Sequence, residues 1–306
     1  MLVNFLIYFF IFVFGLIIGS FLNCVIYRTE LQENMPKDSP YRKAVSFLRG
    51  KSFCPHCKHN LNWQDLIPVF SFLFLRGKCR YCKKSISIQY PLVEIATGLI
   101  FLLIFNHSTE RFALVLGFND YSLIIASVFN LFFLFYVAST LIVIFVYDLK
   151  HYLIPDKVLF PAIAVAFVFR ILELIDFKLI ENFKFQISNL EPLLGYMLAV
   201  LIAAGFFFII WLVSAGRWMG FGDVKLAILL GIILGFPNIL TGLFLAFLFG
   251  AIIGIGLMAI PASLQGGKKK ELNSKIPFGP FLIIGTFVAI LWGQQLMQWY
   301  LNLLLL

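Results

Sequence analysis

An all-α polytopic membrane protein of about eight transmembrane helices, with one small four-cysteine domain on its cytoplasmic side, is what this sequence predicts. The first reason is composition. Of 306 residues, 61% are hydrophobic, 17% aromatic and only 13% charged, whereas a soluble domain is about half apolar and about a quarter charged. The second is a series of apolar runs near the length of about 20 residues that one bilayer crossing needs. The third is a single sizeable polar stretch, residues 27–90, holding four of the five cysteines in two tight pairs. The net charge of +9 points to membrane lipids, since anionic inner-leaflet lipids attract basic loops. No nucleic-acid-binding module and no internal repeat is visible.

The eight expected spans are residues 3–26, 91–106, 122–146, 157–175, 192–213, 224–236, 238–260 and 278–302. The sixth and seventh meet at Gly235-Phe236-Pro237-Asn238, a turn signal; merging them would give seven spans. The first lacks the basic n-region and cleavage site of a secretory signal, so it is expected to remain as a helix. Gly15, Gly19 and Ser20 give it a small-residue face suited to close helix packing. Asn23 and Arg28 end it, and Cys24 reads as a buried apolar residue.

Orientation follows from the basic residues, which concentrate in cytoplasmic loops. Residues 27–90 and the loops on the same side by alternation, including Lys150, Lys225 and the Lys268–Lys270 run, hold twenty of the 24 Lys and Arg. That places residues 27–90 in the cytoplasm and the N-terminus outside. A seven-span chain would send Lys268–Lys270 to the opposite side, so eight spans are preferred. The chain then divides into a first helix, 1–26, a metal-binding domain, 27–90, and a membrane-embedded domain, 91–306.

The segment 27–90 is too short for a large core and needs a staple. Cys54-Pro55-His56-Cys57 and Cys79-Arg80-Tyr81-Cys82 supply one. Two C-x2-C knuckles match a zinc-ribbon-like site in which Cys54, Cys57, Cys79 and Cys82 hold one tetrahedral zinc. Four thiolates leave no open position, so the ion is expected to be structural. Two disulfides are the alternative, disfavoured in a reducing cytoplasm, and a four-thiolate iron site is another. His56 and His59 are then spare. Glu94, just inside the second span, is either held by an Arg or Lys at the interface or lines a polar pocket.

Two acids at span ends carry the chemistry. Asp148 closes the third apolar run, and Asp223 sits in Gly220-Phe221-Gly222-Asp223 at the foot of the sixth. An acid near a membrane span is costly, about 2.5–3.5 kcal/mol at a helix centre, and marks a functional site by default. Two carboxylates about 3 Å apart share a proton and serve as acid and base together. The glycines beside Asp223 let backbone or substrate approach closely. The chain therefore reads as a membrane aspartyl peptidase built on Asp148 and Asp223. The bland reading of Asp223 is a helix N-cap. Asp156 is a second candidate partner, ranked below Asp148 because a cap beyond the Pro155 break already explains it. Lys225 either orients a carboxylate or extends to the interface. Ile276-Pro277-Phe278-Gly279-Pro280 sets a rigid start to the last span.

Together these residues resemble the type IV prepilin leader peptidase family. The resemblance covers most of the chain. It rests on Gly19-Ser20-Phe21-Leu22-Asn23 with Arg28, the two C-x2-C pairs, and the linking Trp63, Asp65-Leu66-Ile67-Pro68, Arg76-Gly77-Lys78 and Tyr90-Pro91-Leu92-Val93-Glu94. It continues through Asp148 to Ile154-Pro155-Asp156, Gly220 to Lys225, and Ile276 to Pro280. Thr29-Glu30 departs from it, where an apolar residue and proline are expected. The resemblance implies removal of a basic leader from prepilins or pseudopilins at the cytoplasmic face of the bacterial inner membrane. It also implies N-methylation of the new terminus from S-adenosylmethionine. No glycine-rich dinucleotide-type turn marks a site for that cofactor. Other readings are an intramembrane peptidase of different substrates and a non-enzymatic scaffold with a zinc-ribbon docking domain.

Overall fold

The computed structural model describes residues 2–35, 52–116, 121–174, 190–259 and 277–304. The Lys268–Lys270 run, Ile276 and residues 36–51 of the cysteine-bearing segment lie outside the described residues. Among the described residues there are nine α-helices and one 3-10 turn, and β-structure is limited to two isolated bridges. The chain folds as two compact units, Met1–Val143 and Ile144–Leu306.

The first unit begins with α1, Leu2–Asn34. The expected span ended at residue 26, but the helix continues. Thr29 and Gln32 are buried, the Thr29 hydroxyl donates to the Val25 carbonyl at 2.8 Å, and no proline intervenes to stop the helix. After the 3-10 turn Trp63–Leu66 and the short helix α2, Phe70–Phe74, helix α3 runs Gln89–Leu116. Pro91 falls in its first turn, where a missing N–H costs nothing. Helices α1 and α3 meet through the small-residue face read from the sequence. A Cβ on Gly15 would lie 2.7 Å from the Gly98 Cα, and one on Gly19 would lie 2.6 Å from the Glu94 Cα.

Helix α4, Tyr121–His151, ends inside the second unit. There follow α5, Asp156–Leu174, α6, Leu190–Ser214, α7, Phe221–Leu234, α8, Asn238–Ala259, and α9, Gly279–Leu304. Short α7 is buried along most of its length and packs on α5, α6, α8 and α9. Gly231 permits this: its Cβ would lie 2.7 Å from the Val200 Cα of α6.

Among the described residues six helices, α1, α3, α4, α6, α8 and α9, are long and apolar enough to cross a bilayer. The other two expected spans fall short for different reasons. Helix α5 carries Asp156, Lys157, Arg170 and Glu173. Helix α7 has 14 residues, about 21 Å at 1.5 Å per residue, against a hydrocarbon core of about 30 Å. A short helix in an apolar bundle needs partners for its last carbonyls, and Arg170 of α5 supplies them. Its Nε donates to the Ile232 carbonyl at 3.1 Å and its Nη2 to the Ile233 carbonyl at 2.6 Å. The guanidinium also pairs with Glu173 at 2.7 Å and lies 4.4 Å from the Tyr196 ring centre.

The helix contacts set a test. Gly15→Val forces a branched side chain into the Gly98 backbone and is expected to cost about 1–3 kcal/mol or more, read as a lower unfolding temperature in detergent. Gly205 faces open space, so Gly205→Ala is expected to be neutral or stabilising, by up to about 1 kcal/mol.

Candidate active site and metal centre

In the first unit the two cysteine knuckles adopt one geometry twice. The Cys54 amide donates to the His59 carbonyl and the Lys58 amide to the Cys54 carbonyl, at 3.0 and 2.9 Å. Cys79, Lys84 and Lys83 repeat the pattern at 2.8 and 3.0 Å. Each knuckle closes with an isolated bridge, Phe53 to Asn60 and Lys78 to Ser85, and turns through a lysine of positive φ, Lys58 and Lys83. This structural repeat escapes the sequence because the two segments share little beyond the cysteines.

The four sulfurs of Cys54, Cys57, Cys79 and Cys82 lie within 4.8 Å of one another. A tetrahedral ion with bonds of about 2.3 Å holds its sulfurs about 3.8 Å apart, and Cys54 Sγ lies 3.9 Å from Cys82 Sγ. A disulfide needs about 2.05 Å, and all four thiols are free. The donor set therefore fits a metal ion. Loss of solvation opposes ionisation of Cys54, yet the amides of Cys57 and His56 and the neighbouring thiols bring it down to about 7. At Cys57 the His59 amide favours the thiolate, but lost solvation and the Cys54 and Cys82 thiols push it up to about 11. Crowded thiols resist ionising together, and a dication removes that conflict.

Asp65 braces the second knuckle. Its carboxylate accepts from Arg80 Nε at 2.7 Å, from the Tyr81 hydroxyl at 3.1 Å and from the Asn62 amide at 3.1 Å. Burial opposes its charge, but these bonds outweigh that and hold its carboxyl below the ordinary carboxylate value. His59 stacks on Tyr81, ring centres 3.7 Å apart. Glu94 takes the Val69 amide at 2.7 Å and the Ser20 hydroxyl as partners, where the sequence left open an Arg or Lys partner or a polar pocket.

The second unit holds the acids. Asp148 lies in the last turn of α4 and is only 4% exposed. Its carbonyl accepts from the Tyr152 amide at 2.8 Å, Tyr152 takes a positive φ, and Pro155 then opens α5. Helix α7 starts three residues earlier than the sequence suggested. Its N-cap is Gly220, not Asp223, and Asp223 is the third helical residue. The Asp223 amide donates to the Gly220 carbonyl at 3.2 Å, closing the first turn of the helix. The unit places Asp148 and Asp223 near enough for the charge of one to act on the other.

Gly279, the first residue of α9, completes the arrangement. Its amide donates to the Asp148 carboxylate, and a Cβ there would lie 2.5 Å from Asp148 Oδ2. Ile154 sits between the glycines, 3.6 Å from that Cβ position on Gly279 and 3.3 Å from the one on Gly222. Phe278 fixes the entry to α9, with its ring 5.0 Å from Phe247 and 5.9 Å from Phe207. The sequence marked Pro277 to Pro280 as rigid but not as a partner of Asp148. Asp156 is otherwise engaged: Lys225 Nζ donates to both its oxygens, at 2.7 and 2.9 Å. The Lys225 ammonium also lies near the rings of Phe160 and Phe221.

The fold and this site define a polytopic membrane protein with two interacting carboxylates at helix ends and a separate four-thiol centre. Residues 13–108 match the family model described as the bacterial peptidase A24 N-terminal domain, and residues 134–255 match the type IV leader peptidase family. Curated relatives bear the name prepilin leader peptidase/N-methyltransferase. That of Aeromonas salmonicida is 30% identical, with 96% of this chain and 94% of the relative covered. That of Aeromonas hydrophila is 29% identical over 95% and 93%, and that of Pseudomonas aeruginosa 28% identical over 94% and 91%. The chain belongs to the type IV leader peptidase family. No solved structure matches it.

The thiol geometry sets the second test. Metal analysis of the purified protein is expected to find one ion per chain. Cys54→Ser is expected to lose it and Cys24→Ser to keep it. A reduced, freshly prepared protein with no metal would refute the centre.

Proposed function

We propose that this protein is a membrane aspartyl endopeptidase that removes the basic leader of type IV prepilins or pseudopilins, using Asp148 and Asp223, and N-methylates the new terminus. The observation that carries the reading is that Ile154 packs against both Gly279, which abuts the Asp148 carboxylate, and Gly222, which precedes Asp223, in a chain of this family. One carboxylate, ionised, takes a proton from water as the oxygen attacks the scissile carbonyl carbon. The other, protonated, polarises the carbonyl oxygen. The tetrahedral intermediate collapses as the C–N bond breaks and the leaving amine takes a proton. The Gly279 amide orients Asp148, and the first turn of α7 positions Asp223.

The metal is assigned as zinc, on four thiolates and tetrahedral spacing. It is structural, because Cys54, Cys57, Cys79 and Cys82 fill every position. S-adenosylmethionine is the expected methyl donor, but the described residues contain no glycine-rich strand-to-helix turn that fits it, and no residue is assigned to it. The protein is placed in the bacterial inner membrane, with residues 27–90 and both acids at the cytoplasmic face, on the distribution of Lys and Arg.

Asp148→Asn and Asp223→Asn are each expected to abolish cleavage of a prepilin, weighed by mass spectrometry, while zinc stays bound. The double variant is expected to be no worse than either, because the pair acts as a unit. Asp156→Asn loses a partly exposed ion pair, about 0.2–1 kcal/mol, and is expected to keep cleaving. Gly279→Ala drives a methyl into Asp148 and is expected to lose cleavage. Gly222→Ala meets only Ile154, which can shift, and is expected to retain a measurable share. Loss at Asp156 with normal cleavage at Asp148 would move the first acid to Asp156.

Sidedness has its own check. Single cysteines placed at 45 and 269 are expected to react with an impermeant thiol reagent only from the cytoplasmic side. Reaction from opposite sides would refute the arrangement.

A further inference from the structure

The cysteine-bearing segment exposes apolar side chains that a water-soluble domain would bury. Trp63 is 73% exposed, Phe74 84% and Leu73 63%, with Leu66 and Phe70 also exposed. Phe70, Leu73 and Phe74 fall at i, i+3 and i+4 and share one face of α2. Scattered exposed apolar residues are ordinary, but a clustered set marks an interaction surface.

The height of this face along the first unit is set by a hydrogen bond. The Val69 amide, immediately before α2, donates to Glu94 at 2.7 Å. Glu94 lies about one and a half turns inside α3, which begins at Gln89 and is long and apolar enough to cross the bilayer. Val69 keeps a φ of 60°, rare for a β-branched residue, so the surrounding structure holds this contact against a backbone cost. The segment is thus drawn down beside the end of a spanning helix. The same level carries exposed Ile88, just before α3. Arg76 and Lys78, which follow α2 directly, are exposed.

The geometry points to the cytoplasmic leaflet of the bilayer as the occupant of this face. Trp63, Phe70, Leu73 and Phe74 enter the boundary between headgroups and acyl chains, and Arg76 and Lys78 meet anionic headgroups. An amphipathic element with aromatics on one side and cations beside it binds a membrane surface in this way. Tryptophan at that depth matches the aromatic belt of membrane proteins. The four-thiol centre is then held at the membrane surface by three ties, α1, α3 and this apolar face. This extends beyond the peptidase reading and does not depend on it.

The test uses the full chain in nanodiscs of anionic phospholipid, with a fluorescent noncanonical residue replacing Phe74. Quenching by brominated acyl chains is expected to exceed quenching by aqueous iodide by at least about twofold. Zwitterionic lipid in place of anionic is expected to weaken the bromine effect. The same residue at position 63 gives an independent reading, and retained metal certifies the fold of each labelled protein. Quenching by iodide and not by bromine at both positions would overturn the inference. So would bromine quenching that disappears when a prepilin is added, since the substrate would then be the occupant. Bromine quenching indifferent to lipid charge would overturn the role given to Arg76 and Lys78.

Discussion

The second unit depends on how a buried carboxylate is satisfied. Asp148 is nearly inaccessible and sits among apolar helices, where an ion without partners is costly. The partner it receives is a backbone amide, that of Gly279. That choice constrains much around it. A side chain at residue 279 would displace the Asp148 carboxylate, whose Oδ2 lies 2.5 Å from the place of its Cβ. The start of α9 must be rigid, which Pro277 and Pro280 provide by fixing the backbone. It must also be anchored, which Phe278 provides through the rings of Phe207 and Phe247.

The same logic shapes α7. A helix of 14 residues is too short to put both ends in the interfaces, so its ends need partners from the protein. At its start the Asp223 amide donates to the Gly220 carbonyl at 3.2 Å. At its end Arg170 binds two carbonyls. The ion pair between Lys225 and Asp156 then ties the first turn of α7 to the first turn of α5. It also engages the cation nearest in sequence to Asp223 with a different acid.

The first unit solves a different problem. Residues 52–88 have no apolar core of their own, and most of their large apolar side chains are exposed. Order comes from the four sulfurs gathered within 4.8 Å of one another, a set that fits one ion, and from Asp65, which joins the 3-10 turn to the second knuckle. Glu94 joins the same segment to α3. The cysteine cluster and these carboxylate ties stand in for the hydrophobic interior that so short a segment cannot form.

By itself the sequence determined what depends on composition and local spacing. Apolar runs of bilayer length set the helices, because backbone groups in lipid must bond within the segment. Two C-x2-C pairs set the metal ligands, because a knuckle needs only neighbouring residues to aim two sulfurs at one point. The small-residue face of α1 was legible for the same reason: Gly15 and Gly19 share a helix face by periodicity. Where the helices end was less legible. Helix α1 runs past its apolar stretch because Thr29 and Gln32 are buried by packing, and α7 begins at Phe221 because Gly220 can cap it. Only the tertiary structure decided which acid meets which partner. On paper Asp148 ranks above Asp156 as the partner of Asp223 only because a cap already explains Asp156. The turn at Tyr152 and Pro155, the crossing at Gly231 and the amide of Gly279 bring Asp148 to Asp223 and leave Asp156 to Lys225. Those contacts join residues up to 131 positions apart, from Asp148 to Gly279, and no local pattern records a separation of that kind.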